Sequence, residues 1–298
     1  MTQSFATGVI WMLLSATGMA FVGLFAELGF DQLSLTAMVF WRFVAAFIMC
    51  FLLMLCLGRL QHFRVEHIKM NFLRSFFLCA SQYSFFYYIE HDTLLNGIVL
   101  LNTGPLFIPF VEKKLFGNKI GISSWVGLIV SFVGVLCVLQ PRAGLLSLLS
   151  LVGLLAGLSQ AVSQVLFGMN TKKENAELGV LSLTGFMVIL SLLPYLLINE
   201  PTFKPTANWS WVIGIIGALG AASVLNQLAR GVAYQHGTPS RLSPFLYFSV
   251  IAAAILDWAV FRVIPNALSI FGAGLVVLGG VLKIYIRHKI LQKQSRGK

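Results

Sequence analysis

An all-α integral membrane protein, with ten transmembrane helices arranged as two inverted five-helix repeats around a central cavity, is the fold class that this 298-residue sequence predicts. Three observations predict it. The composition is 58% hydrophobic and only 10% charged, whereas about a quarter of the residues in a soluble domain carry charge. Apolar runs of about 20 residues, the length that crosses a bilayer as a helix, recur ten times along the chain. A shift of 145 positions superposes rare polar residues of the first half on those of the second.

The composition excludes a cytosolic globular enzyme, and it carries far more apolar surface than a disordered segment leaves in water. The net charge of +11 does not point to nucleic acid, because the basic residues are spread over short loops and the C-terminal segment instead of one face. Cys50, Cys56, Cys79 and Cys137 all sit within apolar runs without CxxC spacing. Neither a metal site nor a disulfide framework is indicated, and no cofactor is expected.

Breaks between apolar runs place the spans at about 8–28, 33–57, 70–89, 94–112, 121–140, 145–168, 178–198, 211–234, 241–261 and 266–286. The first run is too long for the apolar region of a signal peptide and is read as a retained span. With the N-terminus in the cytoplasm, Arg59, Arg64 and Lys69, then Lys113, Lys114 and Lys119, then Lys172 and Lys173, and the basic residues from Lys283 onward all fall inside. Outside loops hold only Arg142, Lys204 and Arg262. That asymmetry predicts both termini in the cytoplasm.

The shift of 145 places Gly8 on Gly153, Gln82 on Gln227, His91 on His236, Thr93 on Thr238, Glu112 on Asp257, Gly127 on Gly272 and Gly134 on Gly279. Each half has five spans, an odd number, so the halves enter the membrane in opposite orientations. This is the plan of many secondary transporters, with the substrate site at the interface of the halves. The expected divisions are 1–142 for the first repeat, 143–286 for the second and 287–298 for a basic cytoplasmic tail.

Trp41-Arg42-Phe43, Leu73-Arg74-Ser75, Thr103-Gly104-Pro105-Leu106 and Ser243-Pro244-Phe245-Leu246-Tyr247 resemble the drug/metabolite transporter superfamily, specifically its EamA-type members. The resemblance runs over essentially the whole chain. It departs where family halves finish spans four and nine with a Phe/Leu-Gly-Glu turn, since Asn118 and Val263 stand in place of the glutamates. The resemblance implies movement of small metabolites across the plasma membrane, the inner membrane in a bacterium, through a cavity lined by spans one, three, four, six, eight and nine. The implied partners are a small-molecule substrate and the lipid bilayer; a coupling ion, a counter-substrate and a homodimer are left open.

Polar residues inside the spans are the candidate substrate contacts. Arg42 in span two is costly in a bilayer unless it faces protein or water, so it reads either as an anchor for an anionic group or as a clamp between helices. Arg74 opens span three and shares a stripe with Ser81 and Tyr88. Gln160, Ser163 and Gln164 in span six match an amide-bearing face of Asn226, Gln227 and Arg230 in span eight. Spans four and nine are interrupted by Pro105, Pro109 and Pro244, beside Asn96, Asn102 and Thr103 in one and Ser243 and Tyr247 in the other. Interruptions at corresponding places in two halves mark a transport site.

Glu112 and Asp257 end spans four and nine at corresponding positions and are the gate or coupling candidates. The glycine pairs of spans five and ten read as grooves for close packing. The expected function is secondary transport of small polar solutes, amino-acid-like, nucleotide-like or otherwise zwitterionic or anionic, by alternating access. A channel, a receptor and a lipid-modifying enzyme are the alternatives, but neither a filter-like repeat nor an HExxH or Ser/His/Asp pattern supports them.

Overall fold

The computed structural model describes residues 2–58, 68–91, 94–117, 121–140, 149–170, 176–198, 201–203, 208–262, 264 and 266–296. The helices are α1 (Thr2–Gly29), α2 (Leu35–Cys56), α3 (Ile68–His91), α4 (Leu94–Leu101), α5 (Gly104–Phe116), α6 (Ile122–Leu139), α7 (Ser150–Asn170), α8 (Ala176–Leu197), α9 (Trp209–His236), α10 (Pro239–Leu242), α11 (Phe248–Phe261) and α12 (Ala267–Arg296). A 3-10 segment, Ser243–Tyr247, joins α10 to α11. These helices make up the ten expected spans, with span four split into α4 and α5 and span nine into α10, the 3-10 segment and α11. Residues 287–296 continue α12 as helix. Asn118, Val263 and the boundary at 142/143 lie outside the described residues.

Among the described residues, eight helical segments are long and apolar enough to cross a membrane. The other two spans fail that criterion for visible reasons. One is α3, whose buried positions include Asn71, Arg74, Ser75, Ser81 and Gln82. The other is broken between α4 and α5, where Pro105 cannot donate to the preceding turn. There the side chains of Asn102 and Thr103 donate to the carbonyls of Ile98 and Leu100 at 2.9 and 2.6 Å.

Large apolar side chains such as Ile10, Ile189, Leu193, Leu197, Ile213 and Ile270 are exposed, the inverse of a soluble surface and the arrangement that lipid requires. Small and polar residues are turned inward. Ser34 caps α2, accepting from Ala37 N, and Asn208 caps α9, accepting from Ser210 N; each satisfies an orphan donor of the first turn.

The packing follows the internal repeat. Helix α1 lies along α9 and α3 along α7, while α2 packs on α8 and α6 on α12. Under the shift of 145, α1 takes the place of α7 and α3 that of α9, so the first two pairs are copies of each other. The α6/α12 crossing shows the symmetry at atomic level: a Cβ on Gly127 would lie 2.8 Å from Gly279 O, and one on Gly134 only 2.6 Å from Gly272 O. These two contacts exchange under the shift. Between them Ser131 Oγ donates to Val276 O at 3.2 Å, and Val276 is the repeat mate of Ser131. Only a two-fold axis through the crossing brings a residue onto its own mate. The amides of Gln140 and Asn266 also pair reciprocally at one end of α6 and α12, at 2.8 and 3.1 Å.

Candidate functional site

A cavity of about 640 Å³ lies between the halves. Residues of α1, α3, α4, α7, α9 and α11 line it, and α2 and the ends of α6 and α12 join them. Its volume falls in the range of about 300 to 1,000 Å³ typical of small-molecule sites. Most of the wall is apolar, including Met19, Val22, Phe30, Val39 and Phe85. One end reaches the connecting segments, where Glu27, Leu139, Asp257 and Ser269 line it. Gln164 and Arg230 line the wall nearer the opposite end.

Arg42 lines the cavity. Its Nη2 donates to Gln82 Oε1 at 2.9 Å, and its guanidinium carbon sits 4.5 Å from the centre of the Phe43 ring. The buried Nε of Arg42 has no hydrogen-bond partner among the described residues. Leaving such a donor unpaired costs about 1 to 3 kcal/mol; the guanidinium is held to Gln82 through Nη2.

Three glutamines share one design. Gln82 accepts from Arg42, Gln160 Oε1 accepts from Ser81 Oγ at 3.2 Å, and Gln164 Oε1 accepts from Tyr234 Oη at 3.0 Å. Each amide oxygen is taken up by a side chain of the wall, and a glutamine amide has two further N–H donors beside that oxygen. Arg230 Nε donates to Ser15 Oγ at 3.2 Å, and Ser15 in turn donates to Asn226 Oδ1 at 3.4 Å. Arg42, Arg230 and the three glutamines therefore make a donor-rich wall. Glu27 and Asp257 line the cavity near its open end, within range of each other's charge.

Of the residues singled out in the sequence, Arg42, Asn102, Gln160, Gln164, Arg230 and Asp257 line the cavity. Most of the others pack within the bundle. Arg74, 2% exposed, donates to Gly179 O at 3.3 Å and to Gln227 Oε1 at 3.1 Å, and its guanidinium stacks 3.3 Å from the centre of the Phe167 ring. It ties α3 to α7, α8 and α9. Ser163 donates to Arg74 O, Ser243 donates to Ser240 O, and Thr103 donates to Leu100 O. Ser81 and Asn226 serve as partners of Gln160 and Ser15, and Tyr88 is fully buried. Tyr247 is also fully buried, and its hydroxyl has no partner among the described residues. The side chain of Asn96 lies outside the described residues.

The opposite end of the bundle is packed shut. Glu112 is fully buried at the end of α5, and its Oε2 accepts from the backbone N–H of Ser240 at 2.8 Å. Lys283 of α12, only 1% exposed, donates from Nζ to Ser240 O at 3.2 Å. Read from sequence, Lys283 is a charge at the inner end of the last span and Glu112 a gate or coupling candidate at the end of span four. Both are buried because α10 enters between α5 and α12. Three further residues escape the sequence reading: Gln82, which holds Arg42; Glu27, a span-end acid by position; and Lys283. A signal for Gln82 existed, since its repeat mate Gln227 is among the candidates.

Comparison with known proteins gives this geometry its context. Residues 6–140 match the EamA-like transporter family. A riboflavin transporter of Vibrio cholerae is 25% identical over 275 residues, covering 91% of this chain and 90% of its own. The chain is a membrane transporter, and the match to that family covers its first half. It is also 20% identical to an S-adenosylmethionine uptake transporter of Rickettsia bellii, with 98% of each chain covered. A pseudopaline exporter of Pseudomonas aeruginosa is 24% identical over 200 residues, covering 65% of this chain and 67% of that one. A solved crystal structure shares the fold at a TM-score of 0.76 and 15% identity, covering 97% of this chain and 99% of the other. The transporter is a multi-pass membrane protein.

Proposed function

We propose that the chain is a secondary transporter that carries a small, acceptor-rich metabolite, zwitterionic or anionic, through this cavity by alternating access. The observation that carries the reading is Arg42: a guanidinium in the cavity wall, oriented by the Gln82 amide. A carboxylate, phosphate or carbonyl placed there accepts from a charged donor in a low-dielectric site, where such bonds are strongest. The glutamine N–H groups and Arg230 extend the same polarity along the wall, and the apolar remainder suits an organic body. Alternating access is supported by the two-fold packing of the halves, 1–142 and 143–286, together with a cavity reaching one end and tight packing at the other.

On the charge distribution of the loops, both termini face the cytoplasm in the plasma membrane, so the cavity reaches toward the outside and the Glu112 end is cytoplasmic. Neither direction nor coupling is implied, as the relatives include both uptake and export proteins. The test is flux of a metabolite panel into vesicles reconstituted with the pure protein. Saturable flux of a zwitterion or anion, weakened in Arg42→Ala, is expected; flux that is saturable but indifferent to Arg42 removes the anchor, and absence of saturable flux across the panel removes the transport reading.

A further inference from the structure

Glu112 and Asp257 are repeat mates, yet they do different things in this structure. Glu112 is fully buried and accepts the N–H of Ser240, the second residue of α10. Pro239 before it has no N–H to offer, so Ser240 is the first free amide of that segment, an orphan donor of the kind that helix starts expose. A carboxylate satisfies it with charge of the favourable sign. Asp257 is only partly buried and lines the cavity instead.

Shifting this contact by 145 shows where Asp257 has a partner. Ser240 falls on Leu95, Pro239 on Leu94 and Thr238 on Thr93. Leu94 is the first residue of α4 just as Pro239 is the first of α10, so the register of the two segments is the same. The first turn of α4 therefore offers backbone N–H groups equivalent to the one that Glu112 holds. Ile98, one turn further along α4, lines the same cavity as Asp257. Asp257 and the helix that carries the Leu95 amide thus line one cavity.

In a protein whose halves are related by a two-fold axis, the alternate state follows from exchanging the conformations of the halves. That exchange turns the Glu112–Ser240 contact into one between Asp257 and Leu95. We infer that Asp257 is the latch of the cavity mouth: when the Glu112 end opens, its carboxylate docks on the backbone N–H groups of the first turn of α4 and closes the other end. This rests on the alternating-access reading above and adds the residues that close each side.

The two latches differ in strength. Lys283 adds a second, charge-assisted bond to the Ser240 backbone, whereas its mate Val138 has nothing to donate. The Glu112 latch is the stronger, and the resting state is the one seen, with the mouth open. Removing Lys283 therefore shifts the protein toward the mouth-closed state.

Paired cysteines test this in the full chain, reconstituted in liposomes after replacement of the four native cysteines. Leu95→Cys with Leu256→Cys, a cavity-lining neighbour that keeps the Asp257 carboxylate, reports the mouth latch by oxidative cross-linking. Ala254→Cys in the cavity wall reports the open mouth by reaction with a membrane-impermeant maleimide. On adding Lys283→Ala, the ratio of mouth-closed to mouth-open protein is expected to rise about tenfold, the worth of one charge-assisted hydrogen bond, seen as more cross-linking of the 95/256 pair and less labelling at 254; Asp257→Asn is expected to cancel that rise. Glu112→Gln loosens the same latch independently, so a misfolded Lys283 variant does not decide the matter. If labelling at 254 falls while the 95/256 pair stays unlinked, or if Asp257→Asn leaves the rise unchanged, the mouth closes by other residues and the Asp257 latch is wrong, with alternation intact. If neither variant changes labelling at 254, the Glu112 end does not hold the mouth open and the latch is wrong; alternating access fails only if saturable flux is absent as well.

Discussion

Gln82 and Gln227 are repeat mates, and each accepts a hydrogen bond from an arginine of the first half: from Arg42 at 2.9 Å and from Arg74 at 3.1 Å. The pairs share their chemistry but not their surroundings. Arg42 and Gln82 both line the cavity, while Arg74 is buried against Phe167 and the backbone of Gly179. Mutation of the two arginines should therefore separate affinity from stability.

For Arg42 the expected effect is on affinity. Arg42→Ala raises the KM for the transported solute about ten- to a hundredfold, equivalent to about 1.5 to 3 kcal/mol for a charged hydrogen bond, with little change in Tm. Gln82→Leu gives a smaller rise, because the guanidinium keeps its charge and loses only its orientation. Arg42→Lys does not recover wild-type affinity, since an ammonium lacks the planar fork that can hold Gln82 and a solute together. Uptake kinetics in proteoliposomes would show this, and an unaltered KM in Arg42→Ala ends the assignment.

Arg74→Ala should act on stability instead. It deletes two hydrogen bonds and a desolvated cation–π contact, and leaves Gln227 Oε1 without its donor, a loss of about 3 kcal/mol. A drop in Tm with unchanged KM among the molecules that remain folded is expected. A large KM effect at unchanged Tm would mean that Arg74 meets the solute.

At the α6/α12 crossing, Gly134→Ala should destabilise, because the new Cβ would meet Gly272 O and Val276 N, backbone atoms that cannot step aside. Overpacking of this kind costs about 1 to 3 kcal/mol. Gly274→Ala on the same α12 is the control: nothing lies within 4 Å of its Cβ, and loss of a helical glycine favours the fold by about 0.5 to 1 kcal/mol. Thermal melts in detergent should move in opposite directions for the two variants.

Tyr247→Phe removes a buried hydroxyl that has no partner among the described residues. Relieving it should leave Tm unchanged or raise it, by up to about 1 kcal/mol of stability, with KM intact. A clear loss of affinity would show that the hydroxyl reaches the solute in another conformation of the 3-10 segment.

Much of the architecture was legible in the chain because a bilayer restricts the options. Apolar runs must be helices there, since a spanning backbone has to satisfy its own hydrogen bonds, and the coincidence of Gln82 with Gln227 and of Glu112 with Asp257 already implied paired halves. The α4/α5 break was visible in Pro105 and in the Asn102-Thr103 pair before it. Arg42 was legible for the same reason: an arginine within an apolar run must find protein or water.

The same rule could not tell Arg42 from Arg74. Each is an arginine in a span, and only the packing of α3 against α7 and α9 puts Phe167 and Gln227 around one, while the gap beside α1 leaves the other at the cavity wall. Lys283 and Glu112 have the composition of interfacial charges, and it is the insertion of α10 between their helices that buries them on Ser240. The sequence by itself determined the helices, their pairing into halves and the short list of costly polar residues, because the membrane penalises each residue one at a time. Which of those residues face a solute and which hold the bundle together was decided by tertiary structure alone, because a buried polar group is defined by the partner it meets and that partner lies up to 215 residues away.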